Sequence, residues 1–139
     1  MKKIVVVLFL LGSLFINASF AQFDGQKSAI KKPTSIGMVI STNDVETMWN
    51  VLRLANFAKE EGDTVSIFLL GKGVELDLLV KQNKDLQEQS DAFLEKGGTI
   101  LGCGTCLSSR KNDAPQVCKF SSMSDLYNLV RKNAIVLTF

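Results

Sequence analysis

Two thiols, Cys103 and Cys106, stand three residues apart in the run Gly102-Cys103-Gly104-Thr105-Cys106. A pair this close supports four chemistries: a plain structural disulfide, a zinc half-site, a redox couple, or a sulfur-carrying nucleophile with a neighbouring thiol. The run closes a short apolar segment, Thr99-Ile100-Leu101, that reads as a buried strand, and no Pro or Gly interrupts Leu107 to Arg110. The thiols therefore fall where a strand hands over to a loop or a helix. Open α/β sheets build their sites at this carboxyl end of the strands. A thiol near a helix start is also the better nucleophile, because the helix end favours thiolate over thiol.

Composition narrows the four. The chain has three cysteines and no histidine. Without histidine the usual general base, the Cys-His and Ser-His nucleophile pairs and the commonest metal ligand are missing. A structural zinc needs about four ligands, and Cys118 adds only a third, so no metal is expected. A thioredoxin-type motif follows an early strand with much of its domain still to come, whereas this chain ends at Phe139, soon after Cys106. That fold is not expected, although redox activity of the pair stays open. No stretch matches the Gly-rich loop that cradles nucleotide phosphates, and no organic cofactor is expected.

Several other residues are candidates for lining the site. Lys72 lies in Gly71-Lys72-Gly73, directly after the second strand, and so should share a sheet edge with Cys103. Its ammonium could stabilise a thiolate or persulfide anion there; the plainer reading is a solvated turn residue. Asn43 follows the first strand, where capping explains it first and site lining second. Gly102, Gly104 and Thr105 flank the thiols. Cys118 is separated from them by the loop 112–116, and its approach to the site is open. Arg110 reads first as a surface or helix-end charge.

The elements that must position these residues alternate. Ser35 to Ile40 is a strand candidate, and Asn43 with Glu46 fits a capping box for a helix in which Val45, Met48, Leu52 and Ala55 recur at helical spacing. Gly62 stops that helix. Thr64 to Leu70 is a near-continuous apolar strand of the kind buried on both faces of a parallel sheet. Val74 to Val80 predicts a short helix. Residues 81–90 are polar and unassigned, and Asp91 to Lys96 reads as the end of a further helix. Val117 to Phe120 is a candidate fourth strand. Ser122 to Asp125 caps a last helix with Leu126, Leu129 and Val130, and Ala134 to Phe139 closes the chain as a strand. Strands and helices alternating at this spacing predict one three-layer α/β/α domain with a mainly parallel sheet of about five strands. Trp49 and Phe57 on the first helix are expected in the core or at a subunit interface.

The chain opens with features that do not belong to that domain. Lys2 and Lys3 precede an apolar run from Ile4 to Ile16, and Ser19-Phe20-Ala21 places small residues where a signal peptidase reads. The run is too short for a comfortable membrane span, and no cysteine follows it as in a lipoprotein. The expectation is a cleaved leader over 1–21, a flexible lead-in over 22–34, a domain over 35–139 and a periplasmic or secreted protein with no stable span after cleavage. An uncleaved anchor is the alternative. Of the 16 Lys and Arg, two belong to the leader, so the remaining basic residues balance the 14 acidic ones. A neutral domain without a basic cluster gives no reason to expect nucleic acid.

The stretches Phe68-Leu69-Leu70-Gly71-Lys72-Gly73-Val74-Glu75 and Gly102 to Arg110, with the Asn/Asp-capped first helix and the helix leading into the last strand, resemble the DsrE/DsrF-like family. The resemblance runs from Ile36 to Phe139. It implies a small α/β/α domain assembled as a homotrimer or homohexamer. Sulfur-relay members of that family carry sulfur as a persulfide on the cysteine that matches Cys103. The reading that follows is an exported sulfur carrier or sulfurtransferase: Cys103 accepts sulfane sulfur and passes it to an acceptor thiol, and Cys106 resolves. Donor and acceptor thiols are the partners. The rival is a non-catalytic oligomeric binding or assembly module braced by a structural or redox disulfide of the same pair.

Overall fold

Runs such as Thr64 to Leu69 carry apolar side chains on both sides of the pleat and must be covered on both faces. The computed structural model describes residues 32–139; the expected leader, 1–21, and the lead-in up to residue 31 lie outside the described residues. Strands β1 (Ser35–Ile40), β2 (Thr64–Leu69), β3 (Thr99–Cys103), β4 (Lys119–Ser121) and β5 (Ile135–Thr138) form an all-parallel sheet in the order β4-β3-β2-β1-β5. The helices are α1 (Val45–Glu60), α2 (Leu76–Leu79), α3 (Lys84–Glu95), α4 (Gly104–Ser109) and α5 (Met123–Lys132), and a 3-10 turn over Gly71–Glu75 leads into α2.

The chain winds outward from β1 to β4 and then crosses back to add β5 at the far edge. Parallel crossovers are right-handed, so the outward and return runs place their helices on opposite faces. Accordingly α1 and α3 pack side by side, while α5 lies over β1 and β2. The three layers are those expected from the alternation. Met38, Ile40, Met48, Leu52, Ile67, Leu69, Leu86 and Phe93 are completely buried and form the heart of the core. Trp49 packs at the edge of that core with the Arg53 guanidinium 4.4 Å from its ring centroid. Phe57 is exposed and takes no part in the core.

Local chemistry departs from the sequence reading in three places. The cap of α1 is Asp44, not Asn43: its Oδ1 accepts from the Thr47 backbone N–H at 2.8 Å and from the Thr47 hydroxyl at 2.6 Å. Thr47 offers both groups to a carboxylate three residues earlier, and this frees Asn43 for another partner. Helix α3 begins at Lys84, capped by Asn83, although the polar stretch there carries no clear period. Only Leu86, Ser90 and Phe93 face inward, a stripe too sparse to read without the sheet it covers. Strand β3 runs two residues past Leu101 and takes in Gly102 and Cys103. The expected box at the start of α5 does form, with Ser122 and Asp125 as its members.

Candidate functional site

The sheet register assembles the site. Ile40 pairs with Leu69, Leu69 with Gly102, and Gly102 with Phe120. The carboxyl ends of β1, β2 and β3 are therefore level, and the segments that follow them, 41–43, 71–75 and 103–106, meet along one edge.

Cys103 is the last residue of β3 and the N-cap position of α4, and Cys106 lies one turn further on. A thiol at the carboxyl end of a strand is expected to be open to solvent. The structure corrects this: Cys103 is only 8 % exposed, because β4 pairs alongside it at Ser121 and α4 turns immediately back. Cys106 is the more accessible thiol. All three cysteines are free thiols. The Cys103 side chain takes no capping hydrogen bond from α4. A backbone N–H does reach a site sulfur, but it comes from Gly71, which donates to Cys106 Sγ at 3.3 Å. Gly71 holds φ +56°, a left-handed conformation that glycine adopts at no steric cost. Gly73 is small for a second reason, since a Cβ there would run into the Ile40 carbonyl oxygen. The Gly-Lys-Gly spacing thus serves close passage of this turn over the end of β1.

Burial pushes the Cys106 thiol above its ordinary range, and the neighbouring Cys103 adds to the effect, against the opposing Gly71 N–H and Arg110 charge. Cys106 therefore holds its proton until the solution is alkaline. Lys72 is exposed and makes no hydrogen bond or ion pair among the described residues; its charge helps to keep Glu75 ionised. Thr105 is exposed on the first turn of α4, and Gly104 lies close to the Ser121 carbonyl and the Phe120 ring.

Two acidic residues that the sequence reading passed over organise the surroundings. Glu75 accepts from Arg110 Nε at 2.9 Å and from Asn43 Nδ2 at 2.8 Å, and Arg110 followed by Asn43 holds its carboxyl below the usual range. Arg110 also donates from Nη1 to the Cys106 carbonyl at 3.3 Å. Asn43 and Arg110 are thus parts of one network that clamps α4 against the 3-10 turn, rather than a helix cap and a free surface charge. Asp77 is 2 % exposed; its Oδ1 accepts from the backbone N–H of Gln116 at 2.6 Å and of Val117 at 2.9 Å. Its Oδ2 accepts from Asn112 Nδ2 at 3.0 Å. An acid flanked by Leu76, Leu78 and Leu79 was the sequence signal for this anchor, because an acid is buried only when fully partnered.

Asp77 delivers Cys118 to the back of the site. The Cys118 Sγ occupies the space beside Gly102, where an added Cβ would stand 2.7 Å from it. Burial, with the Asp77 charge adding to it, pushes this thiol up to about 11 from 9.0. A raised thiol pKa stabilises the fold below the unfolded value, and the gain is lost as pH rises through the folded one. The stability of the wild type is therefore expected to fall between pH 9.0 and about 11 more steeply than that of Cys118→Ala, as read from thermal midpoints across that window. Parallel curves for the two proteins would show that Cys118 titrates as it does in the unfolded chain.

Among the described residues no group of three or more His, Cys, Asp or Glu is placed to hold a metal ion, and no helix is long and apolar enough to cross a membrane.

Fold and site together define a small, all-parallel α/β/α domain with a thiol pair at the carboxyl end of an inner strand. Its sequence matches the DsrE/DsrF-like family over residues 35–139, and the chain belongs to that family, which is known for sulfur relay. The uncharacterized protein MK0008 of Methanopyrus kandleri is 32% identical over 101 residues, a match covering 68% of this chain and 83% of the relative. In structure, the domain is similar to the ychN protein of E. coli, with a TM-score of 0.66 at 18% identity over 78% of this chain and 100% of that one. It is also similar to BT1422 of Bacteroides thetaiotaomicron, a conserved protein of unknown function, with a TM-score of 0.65 at 19% identity over 76% of this chain and 95% of the other.

Proposed function

We propose that the protein is a sulfur carrier of the sulfurtransferase class, with Cys103 as the carrying thiol and Cys106 as the resolving one. The observation that carries this reading is the placement of Cys103 at the end of β3, one helical turn from a second thiol. The Cys103 thiolate attacks the outer sulfur of a donor persulfide or polysulfide. One sulfur–sulfur bond forms on Cys103 as one breaks in the donor, and the departing thiolate takes a proton, so no net oxidation occurs. An acceptor thiol reverses the step. Alternatively, Cys106 attacks the inner sulfur of the Cys103 persulfide, sulfide leaves, and a Cys103–Cys106 disulfide remains. That branch reduces the sulfane sulfur by two electrons and requires two external thiols, which leave as their own disulfide, to reset the pair. Mass spectrometry after exposure to polysulfide tests the reading: one sulfur atom added to the peptide bearing Cys103 is expected, and an unmodified protein overturns it.

The protein acts as a homotrimer or homohexamer outside the cytoplasm. Assembly is supported by Met123, Tyr127 and Val130, an exposed apolar stripe along α5, and by exposed Phe120 on the edge strand β4. Light scattering that shows only monomer at micromolar concentrations would remove this part. Export rests on Lys2, Lys3, the apolar run and Ser19-Phe20-Ala21, and N-terminal sequencing of protein from its producing cell should begin at Gln22. An intact Met1 in a cytoplasmic fraction contradicts it.

A further inference from the structure

Against α4, whose N-terminal turn carries the thiol pair, lies a cavity of about 400 Å³ that the sulfur steps above leave unused and that neither thiol lines. The 3-10 turn and α2 form one wall, and α4 with the residues after it forms the other. Val74, Leu78 and Leu107 supply apolar surface, while Lys81, Arg110 and Lys111 bring three positive charges to it. Two carboxylates also face the cavity, but both are already satisfied. Glu75 is held by Arg110 and Asn43, and Asp77 by two backbone N–H groups and Asn112. Lys81 stands 3.9 Å from Asp77 with its side chain 60% exposed, and Lys111 forms no ion pair among the described residues. The volume falls in the lower part of the range that small-molecule sites occupy.

Two links join this cavity to the sulfur chemistry. Leu107 follows Cys106 directly in α4. Arg110 belongs to both, lining the cavity while its Nη1 donates to the Cys106 carbonyl at 3.3 Å. A ligand with an apolar middle and an anionic end matches the cavity, and a sulfur at its other end would lie toward the thiols.

We infer that the cavity seats the carboxylate-bearing body of a low-molecular-weight thiol persulfide, with the carboxylate between Lys81 and Lys111 and the sulfur directed to the Cys103–Cys106 pair. This rests on the sulfur-carrier reading and names a small molecule as the donor. Transfer keeps the balance given above: the outer sulfur bonds to Cys103, the donor's sulfur–sulfur bond breaks, and the small thiolate leaves with a proton from solvent.

N-acetylcysteine persulfide and its methyl ester share their sulfur chemistry and differ only in the carboxylate. At subsaturating concentration the wild type should load from the acid about tenfold faster than from the ester, the size expected of two partly solvated ion pairs. In Lys81→Ala/Lys111→Ala that ratio should fall to about one. Equal rates from the two donors in the wild type overturn the inference, as does a ratio that the double variant leaves intact. Binding of the unreactive S-methyl-N-acetylcysteine, followed by amide chemical shifts, separates the two levels. Shifts centred on Leu107 and Lys111 without loading from either donor would sink the sulfur-carrier reading and keep the carboxylate site. Loading that ignores the carboxylate, with no shifts at those residues, would sink the site and keep the carrier.

Discussion

Cys103→Ser protein exposed to polysulfide should gain no sulfur above background, whereas Cys106→Ser should gain one and keep it. A serine hydroxyl is not ionised at neutral pH and cannot displace a sulfur from a polysulfide, so losing the carrying thiol removes the step outright. Losing Cys106 leaves the first step intact and removes the internal thiol that would expel sulfide. The wild-type persulfide should therefore decay, and faster as pH rises. The Cys106 thiol lies above its ordinary value of 9.0, so its reactive thiolate fraction grows by about tenfold for each pH unit below that point. In Cys106→Ser this pH dependence should disappear. Cys118→Ser should matter least for loading, because that thiol is buried behind β3 and pushed up to about 11. Whole-protein mass spectrometry over time reads all three variants. Loading of Cys103→Ser at the wild-type rate, with none in Cys106→Ser, would exchange the two roles.

The largest expected loss of stability comes from Asp77, which touches no sulfur in its hydrogen bonds. Its carboxylate satisfies the backbone N–H groups of Gln116 and Val117 inside the protein, together with the Asn112 amide. Asp77→Ala leaves the buried Val117 N–H unpaired, whereas exposed Gln116 and half-buried Asn112 turn to water. A buried orphaned group costs about 1–3 kcal/mol, so a loss of about 2 kcal/mol is expected in urea unfolding, seen as a lower midpoint at unchanged slope. Asp77→Asn keeps one oxygen for the backbone but turns an amide toward Asn112, and should fall between the two. The same substitution to alanine loosens the segment that carries Cys118, so alkylation of Cys118 should quicken in Asp77→Ala while that of a surface thiol would not. An Asp77→Ala protein as stable as the wild type would mean that solvent reaches this carboxylate and its partners.

The elements whose signals sit within a few residues were legible in the sequence. The continuous apolar run of β2 announces a strand covered on both faces, the Ser122 to Asp125 box announces the start of α5, and Gly62 ends the region of α1. The alternation of these elements leads to the parallel three-layer fold, since parallel strands need crossovers long enough to hold helices. The thiol pair could likewise be placed at the end of a strand. The partners of the site could not be read in this way. Asn43 and Glu75 lie 32 residues apart, Glu75 and Arg110 are separated by 35, and Asp77 and Val117 by 40. No local pattern couples residues at such distances. They meet because β1, β2 and β3 pair with their carboxyl ends level, which brings the segments after each strand to one edge. The burial of Cys103 was also decided there, by the pairing of β4 beside it and the immediate return of α4. Local propensity set which segments become strands; the register of the sheet decided where β3 ends and which strand ends touch.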